Sequence, residues 1–471
     1  MDEPTRSIVD FVAGTTASSM SALAVRAVVR NYVDCVGCAG GGFYSRPALV
    51  TRRLASHAQG VPAASTYGLD RPSLIEFAVF ANATATRFAD YNDVDVVSGA
   101  GHPSDMSPAL MGMAEAIGVR GSDLVCAMYV AYEVMGALGS AVTLRDRGWD
   151  QGLLCSLGAV AGLAKLIHLS DIQLASAIAI AVTPSIPLRV TRAGNISDWK
   201  GAATAHATMT ATMAVRLAKE GMTGPDRVFD GIEGVFEKVT GPFELRYIGP
   251  AAGELSVAER VQHKYFPVIA ESQGPVQQML QLRKEARVED IASIALSTEY
   301  LGWHEGGGGQ GDAAEKWDPQ TRETADHSLP YVMAAALIDG RVTVDTFLPE
   351  RVRDPALRPL MKKISVAENK EYTDRRASHG ELISVTDVKL RDGRTLRYET
   401  RQPRGHRDNP MSDEELGSKF DSMIEKVLPT VEHAELRERL WNLPDEKRID
   451  QVTSLFRKFG KSTEASPGND D

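Results

Sequence analysis

Basic residues never gather in this chain. Its 52 lysines and arginines are outnumbered by 62 acids, giving a formal net charge of −10 over 471 residues. Nucleic acid and anionic membranes draw on clustered cations for affinity, so neither is an expected partner. Cysteine is scarce, at four residues. Cys35 and Cys38 form a CxxC, but they lie on the amphipathic run Ala22 to Cys38, where positions three apart share a face. A packed core pair is the expectation, and no third cysteine stands near enough to complete an iron–sulfur site. A secretory leader is not expected either, because the acidic start Met1-Asp2-Glu3-Pro4 lacks a basic stretch before an apolar one. The apolar stretch Leu153 to Leu169 carries Lys165 and His168 and is rich in Ala and Gly, which suits a close-packed internal helix better than a membrane span. A reducing, cytoplasmic setting fits these absences.

What is present is mostly helix. The length exceeds one small core and predicts two domains. Apolar residues recur at three-to-four spacing in Ile8 to Phe11, Ala22 to Cys38, Leu74 to Arg87, Met106 to Ile117 and Ser122 to Val142. Ser170-Asp171-Ile172-Gln173 is a capping box heading another helix. The character changes after Pro267. Asp290 to Thr298 alternates like a half-buried strand, and Glu381 to Leu390 with Leu396 to Thr400 flank the turn signal Arg391-Asp392-Gly393-Arg394. A second capping box, Ser412 to Glu415, restarts helices that run to about Lys458. The expected fold is therefore mainly α with an inserted α+β domain: an all-helical body from 1–266 and 406–458, a smaller antiparallel-sheet domain from 267–405, and a polar, disordered tail from 459–471.

The chemistry concentrates in a few stretches. Asp90-Tyr91-Asn92-Asp93-Val94-Asp95 runs through a Gly-punctuated loop to Gly101-His102-Pro103-Ser104-Asp105 and then into an apolar helix. Ser104 or Ser107 can cap that helix, and Pro108 suits its first turn. A histidine beside a helix N-terminus is favoured as the neutral imidazole, able to take a proton while a carboxylate holds its ring. The plain alternative is a capping loop whose acids favour the helix dipole. Lys200, in Asp198-Trp199-Lys200-Gly201, falls in a first turn, where a cation opposes the macrodipole unless an anion docks there; otherwise it is a solvated helix-end lysine. His206, on an Ala-lined run, reads as a core histidine. Gly306 to Gly309 lacks the Gly-Lys-Ser/Thr of a phosphate cradle and reads as a flexible flap or a surface loop. Beyond it, Lys316 to Tyr331 crowds acid, base, His and Tyr ahead of an apolar helix, an arrangement costly to bury without a purpose.

Four of these stretches, in order, resemble the MmgE/PrpD family: Asp90-Tyr91-Asn92-Asp93 with Gly101-His102-Pro103-Ser104-Asp105, the Asp198 to Ala203 helix start, Lys264-Tyr265-Phe266-Pro267, and Lys316 to Gly340. That family includes 2-methylcitrate dehydratases, cis-aconitate decarboxylases and iminodisuccinate epimerases. The resemblance implies a homodimer with a helical domain and an α/β lid, an active site between them, and neither metal nor organic cofactor. Its catalytic positions fall on Asp90, His102, Lys200, Lys264 and Tyr331, and Asp93, Ser104, Arg322 and His327 are candidates for binding substrate. Two departures stand out: Asp150 or Gln151, and Ile269 to Glu271, where relatives carry histidines. The implied substrate is a small di- or tricarboxylate. His102, oriented by Asp90 or Asp93, would move a proton at carbon, Lys200 and Lys264 would clamp the charge, and Tyr331 would donate to a departing hydroxyl. The leading expectation is a hydro-lyase acting on 2-methylcitrate or an analogue. Alternatives are an epimerase, isomerase or decarboxylase on the same scaffold, a metal enzyme using Asp90, Asp93, Asp95, His102 and Asp105, and a non-catalytic carboxylate-binding dimer.

Overall fold

The computed structural model describes residues 1–99, 101–245 and 247–461. Most of the tail assigned to disorder, 462–471, lies outside them.

Helix follows helix up to Lys219, as the periodicity predicts; the expected run to about 265 is broken beyond it, where a π-helical turn, Phe236–Thr240, and the short helix Val257–Arg260 stand in irregular chain. Small residues on the apolar faces let helices close on one another. Helices Gly121–Ala141 and Gly152–Ile167 pack so tightly that a Cβ at Gly158 would sit 2.7 Å from the Ala131 carbonyl oxygen, and one at Gly162 2.7 Å from that of Ala127. Helix Gly121–Ala141 is long and apolar enough to cross a membrane, yet most of its side chains are buried inside the protein. Cys35 and Cys38 are unbonded and buried in helix Ala22–Gly42. Both predicted capping boxes form, at Ser170/Gln173 and Ser412/Glu415.

A two-residue pair, β1 (Ala63–Ala64) and β2 (Ser73–Leu74), precedes the main sheet. That sheet contains β3 (Ile291–Thr298), β4 (Ile364–Glu368), β5 (Ser384–Leu390) and β6 (Thr395–Thr400), in the order β4-β3-β5-β6. The predicted hairpin is β5–β6, with Ser384 opposite Thr400. The sheet is mixed, however, and not antiparallel throughout, because β4 runs parallel to β3. A parallel neighbour needs a long crossover, and the helices between Gly302 and Met361 supply it. At five residues on an edge, with one buried position, β4 has too little alternation to be read from sequence. Helices Arg46–His57 and Lys370–His379 also lay outside the sequence reading.

Apolar side chains collect in two main clusters. One joins the N-terminal helices to Phe420, Ile424, Leu436, Phe456 and Phe459 of the C-terminal helices; the other draws only on residues between Phe266 and Tyr398. The returning helix Asp413–Ile424 also reaches the loops that carry chemistry. Lys419 Nζ donates to the carbonyls of Tyr91 and Lys264, both at 2.8 Å, and pairs with the buried Asp34 carboxylate at 2.6 Å. All three ammonium protons are thereby used. Replacing Lys419 by Met leaves a buried carboxylate and two carbonyls without their donor, so Lys419→Met should lower stability by about 3–5 kcal/mol, read as a fall in the denaturant midpoint at unchanged slope.

Candidate active site

Helix Ile75–Phe88 ends at Ala89, and Asp90 follows with φ +48°, left-handed backbone that non-glycine residues seldom adopt. The turn sends the Asp90 side chain inward, where it is 1% exposed. The loop beyond closes through paired backbone, Val94 with Gln262 and Asp95 with Gly101, which returns the chain to present His102 beside Asp90.

The Asp90 carboxylate is the centre of the cluster. Arg87 Nη1 and Lys264 Nζ contact Oδ1, the latter at 3.0 Å, and His102 Nε2 stands 3.8 Å from the same atom. Lys200 Nζ and His327 Nδ1 each lie 3.9 Å from Oδ2. Lys264 also donates to the Asp90 carbonyl at 2.9 Å. Lys200 spends its charge chiefly on Asp326, at 2.8 and 3.0 Å, and His327 Nδ1 is 2.6 Å from Asp326 Oδ1.

The contacts of His102 assign its imidazole proton. His102 Nδ1 lies 2.6 Å from the Asp93 carbonyl, which can only accept, so Nδ1 carries the hydrogen and Nε2 keeps its lone pair. His327 Nδ1 stands between Asp326 Oδ1 at 2.6 Å, which can only accept, and the Lys200 ammonium at 3.2 Å, which can only donate. The electrostatics agree. Burial, with Arg87 and Lys264 adding to it, holds His102 well below the ordinary histidine range. Burial and Lys200 bring His327 down to about 4. Burial pushes Asp90 up, but Arg87, Lys264 and Lys200 together hold it well below the usual carboxylate range. Burial lowers Lys200 to about 8 against the pull of Asp326 and Asp90, and it lowers Lys264 as well. At neutral pH the cluster thus contains neutral imidazoles beside the charged Lys200 ammonium.

A small cavity of about 60 Å³ opens over Asp90, His102, Lys264 and His327. Six cations line it, Arg87, Arg145, Arg189, Arg192, Lys264 and Arg376, against four acids, Asp90, Asp95, Glu271 and Glu305. The wall is locally positive in a chain that is acidic as a whole. Four of these arginines have an acid of their own. Asp150 takes Arg192 at 2.7 and 3.1 Å, Glu305 takes Arg189 at 2.6 Å and Arg145 at 3.0 Å, and Arg376 joins Glu271 at 2.8 Å to Glu299 at 2.9 Å. Where the resemblance leads one to expect histidines, Asp150 and Glu271 are instead the anchors of Arg192 and Arg376. The Gly306–Gly309 run is neither flap nor surface loop: Gly306, Gly307 and Gly308 are buried, and the turn places Glu305 in the cavity wall.

Several predicted site residues do not line this cavity. The Asp93 carboxylate turns the other way, to Ser104 N at 3.0 Å, Ser104 Oγ at 2.6 Å and Tyr132 OH at 2.8 Å, so Asp93 and Ser104 brace the loop rather than face a ligand. Burial lifts Asp93 to about 7. Neither Ser104 nor Ser107 caps the helix; a 3₁₀ turn, Pro103–Met106, leads into Ser107–Ile117. Arg322 stacks on Phe88 and donates to the Phe88 and Ala89 carbonyls and to Asp326. Tyr331 is enclosed in the second apolar cluster, its hydroxyl donating to the Thr346 carbonyl at 2.6 Å. His206 is not a core histidine but is exposed, its ring beside Trp199. Lys200 is buried behind the cavity wall, 1% exposed, and is not a solvated helix-end lysine. Asp90, Asp326 and His327 bring ligand atoms within 4.8 Å of one another, as a metal site would, but the Lys200 ammonium already supplies the positive charge among them.

Comparison with known proteins gives this geometry a context. Residues 6–248 match the MmgE/PrpD N-terminal domain, and residues 266–443 match the MmgE/PrpD C-terminal domain. The chain belongs to the MmgE/PrpD family. It is 26% identical to the mitochondrial 2-methylcitrate dehydratase of Yarrowia lipolytica over 347 residues, 69% of this chain and 65% of that protein, just under two thirds of its length. It is 26% identical to the cis-aconitate decarboxylase of Homo sapiens over 401 residues, 81% and 79% of the two chains. The 2-methylcitrate dehydratase of Escherichia coli K12 is 23% identical over 403 residues, 79% and 81%.

The arginines were missed because they come from four separate segments, at Arg87, Arg145, Arg189/Arg192 and Arg376, without a shared motif. Tyr331 tests the placement directly. Tyr331→Phe should cost about 1–2 kcal/mol of stability by leaving the Thr346 carbonyl without its donor, while turnover stays within about twofold of the parent on whichever carboxylate the enzyme accepts, since the hydroxyl does not line the cavity.

Proposed function

We propose that this member of the family is a cofactor-independent lyase that dehydrates 2-methylcitrate or a closely related hydroxy di- or tricarboxylate. The observation that carries the reading is a neutral imidazole with a free Nε2, 3.8 Å from Asp90, inside a cavity where cations outnumber acids. A C–H next to a carboxylate becomes acidic only if the charge that develops is met by fixed donors. In this reading His102 Nε2 takes the proton. Arg87 and Lys264, the two cations in contact with Asp90, stabilise the charge on the substrate's carboxylate. Lys264 has an N–H left after its two bonds to Asp90, and it gives that proton to the departing hydroxyl, which leaves as water. Asp90 lies between His102 and Lys264, suited to return the proton from the imidazolium to the amine. Tyr331, first expected in that donor role, is replaced by Lys264 because its hydroxyl is already engaged.

Decarboxylation is the second reading, supported by relatives named cis-aconitate decarboxylase at 26–27% identity over 376 to 401 residues. Proton NMR in deuterated water, run with citrate-like acids, separates the two. A new alkene with loss of hydroxyl is dehydration; gas release with a shortened chain is decarboxylation; solvent deuterium at carbon with neither is epimerisation. Absence of all three for every acid tried would leave only a binding role.

Replacing the base should be decisive. His102→Asn keeps a polar group of similar reach but no basic nitrogen, and turnover should fall by about 10²–10⁴-fold with an unchanged circular dichroism spectrum; retention of more than about a tenth of the rate removes His102 from the role. The pH profile follows from the lysine. Lys200, at about 8 in the folded protein, loses its charge as pH rises through that value, so turnover should decline above about pH 8. Lys200→Arg stays charged and should move that limb to higher pH. On the acid side His102 is already neutral at pH 7 and stays so well below the ordinary histidine range, so no loss is expected between pH 7 and 6.5.

A further inference from the structure

Among the described residues, Arg192 Nη1 and Gln151 Nε2 in the cavity wall have no hydrogen-bond partner; Arg87 Nε and Arg145 Nε lack one too, but stand 3.6 Å from Asp105 and 3.0 Å from Glu305. Arg192 Nη1 and Gln151 Nε2 are both buried and both unpaired, and both residues line the same space as His102. Arg192 is only 5% exposed. Leaving such donors without acceptors is unfavourable, and native proteins seldom do so without a reason.

The backbone around them is built to hold that arrangement. The segments 148–150 and 187–189 pair across a short bridge: Asp150 N donates to Pro187 O at 2.8 Å, and Arg189 N donates to Gly148 O at 2.9 Å. This pairing sets Asp150 against Arg192, whose Nε and Nη2 it binds, so the guanidinium is fixed in plane with Nη1 left over. Gln151 follows immediately and leads into helix Gly152–Ile167. It lies against Gly101, the residue before His102. A Cβ at Gly101 would come 2.0 Å from Gln151 Oε1, and φ there is +101°. Any other residue at 101 would push the glutamine out of place. The loop that presents the base thus leaves room for an amide whose N–H has nothing to bind.

We infer that Arg192 Nη1 and Gln151 Nε2 form a receptor for a second carboxylate of the substrate, distinct from the one whose neighbouring proton His102 removes. The inference rests on the proposed function and deepens it, for it makes the preferred substrate at least a dicarboxylate. Asp150 already balances the Arg192 charge. The receptor therefore works through directed hydrogen bonds from a fixed guanidinium and a fixed amide, which suits the two oxygens of a planar carboxylate.

Isothermal titration of the full-length protein with propane-1,2,3-tricarboxylate, which has no hydroxyl to lose, tests this against butanoate, which has a single carboxylate. The parent protein should bind the tricarboxylate at least 100-fold more tightly. Gln151→Met, and separately the paired change Asp150→Asn with Arg192→Gln, should each weaken tricarboxylate binding tenfold or more and leave butanoate unaffected. Gln151→Met touches no ion pair, so it decides the matter alone if the paired variant does not fold. Tricarboxylate affinity within twofold of the parent in a folded Gln151→Met protein overturns the receptor. So does a parent that exchanges deuterium into substrate yet binds the tricarboxylate no better than butanoate, and in that case the lyase reading stands. A parent that neither exchanges nor binds any of these acids takes down both.

Discussion

One buried carboxylate holds the site together. Asp90 is in contact with Arg87 and Lys264, has Lys200 within 4 Å, and has two imidazoles at the same range. A buried cation without a counter-ion is among the most costly arrangements in a protein interior, so these side chains depend on Asp90 and on Asp326 behind it. The same field sorts their protonation. Burial, with the nearby cations adding to it, lowers both imidazoles, and the carboxylates near the lysines offset the lowering that burial imposes on the ammonium groups. A base and a set of positive donors coexist within a few ångströms because one anion stands between them.

Around this centre the wall is assembled from ion pairs rather than bare charges. Arg192 with Asp150, Arg145 and Arg189 with Glu305, and Arg376 with Glu271 and Glu299 each fix a guanidinium before any ligand arrives. Pairing lowers the cost of burying them and removes the freedom they would otherwise lose on binding. The acids of the wall are thus scaffolding for donors. The returning C-terminal helix adds a further constraint, since Lys419 ties the carbonyls beside Asp90 and at Lys264 to one ammonium group.

Where local chemistry decides structure, the chain was legible. Capping boxes at Ser170 and Ser412, the hairpin around Asp392-Gly393, and the helical periodicity up to Lys219 all follow from contacts within a few residues. The stretches that hold Asp90, His102, Lys200 and Lys264 were picked out by motifs in a family's order, and the fold brings the other three side chains within 4 Å of Asp90. The strand Ile364–Glu368 was not legible, since a short edge strand carries little pattern and its parallel pairing depends on a crossover of some sixty residues. Ser104, Asp93 and Tyr331 carry suitable functional groups, but a hydroxyl or carboxylate says nothing about which way it will face. Each found its partner inside the protein: Asp93 at Ser104 and Tyr132, Tyr331 at the Thr346 carbonyl.

The amino-acid sequence by itself determined the helical class, the sheet-bearing stretch after Pro267, the net negative charge, and the loop that sets an aspartate and a histidine twelve positions apart. These depend on periodicity, composition and turn chemistry, which act over short range. Only the tertiary structure decided that the wall is made of arginines drawn from four segments, that Arg192 Nη1 and Gln151 Nε2 have no hydrogen-bond partner among the described residues, and that Tyr331 lies outside the cavity. Those outcomes depend on which distant side chains meet in space, and burial in a low-dielectric interior forces each charged group to find its partner there.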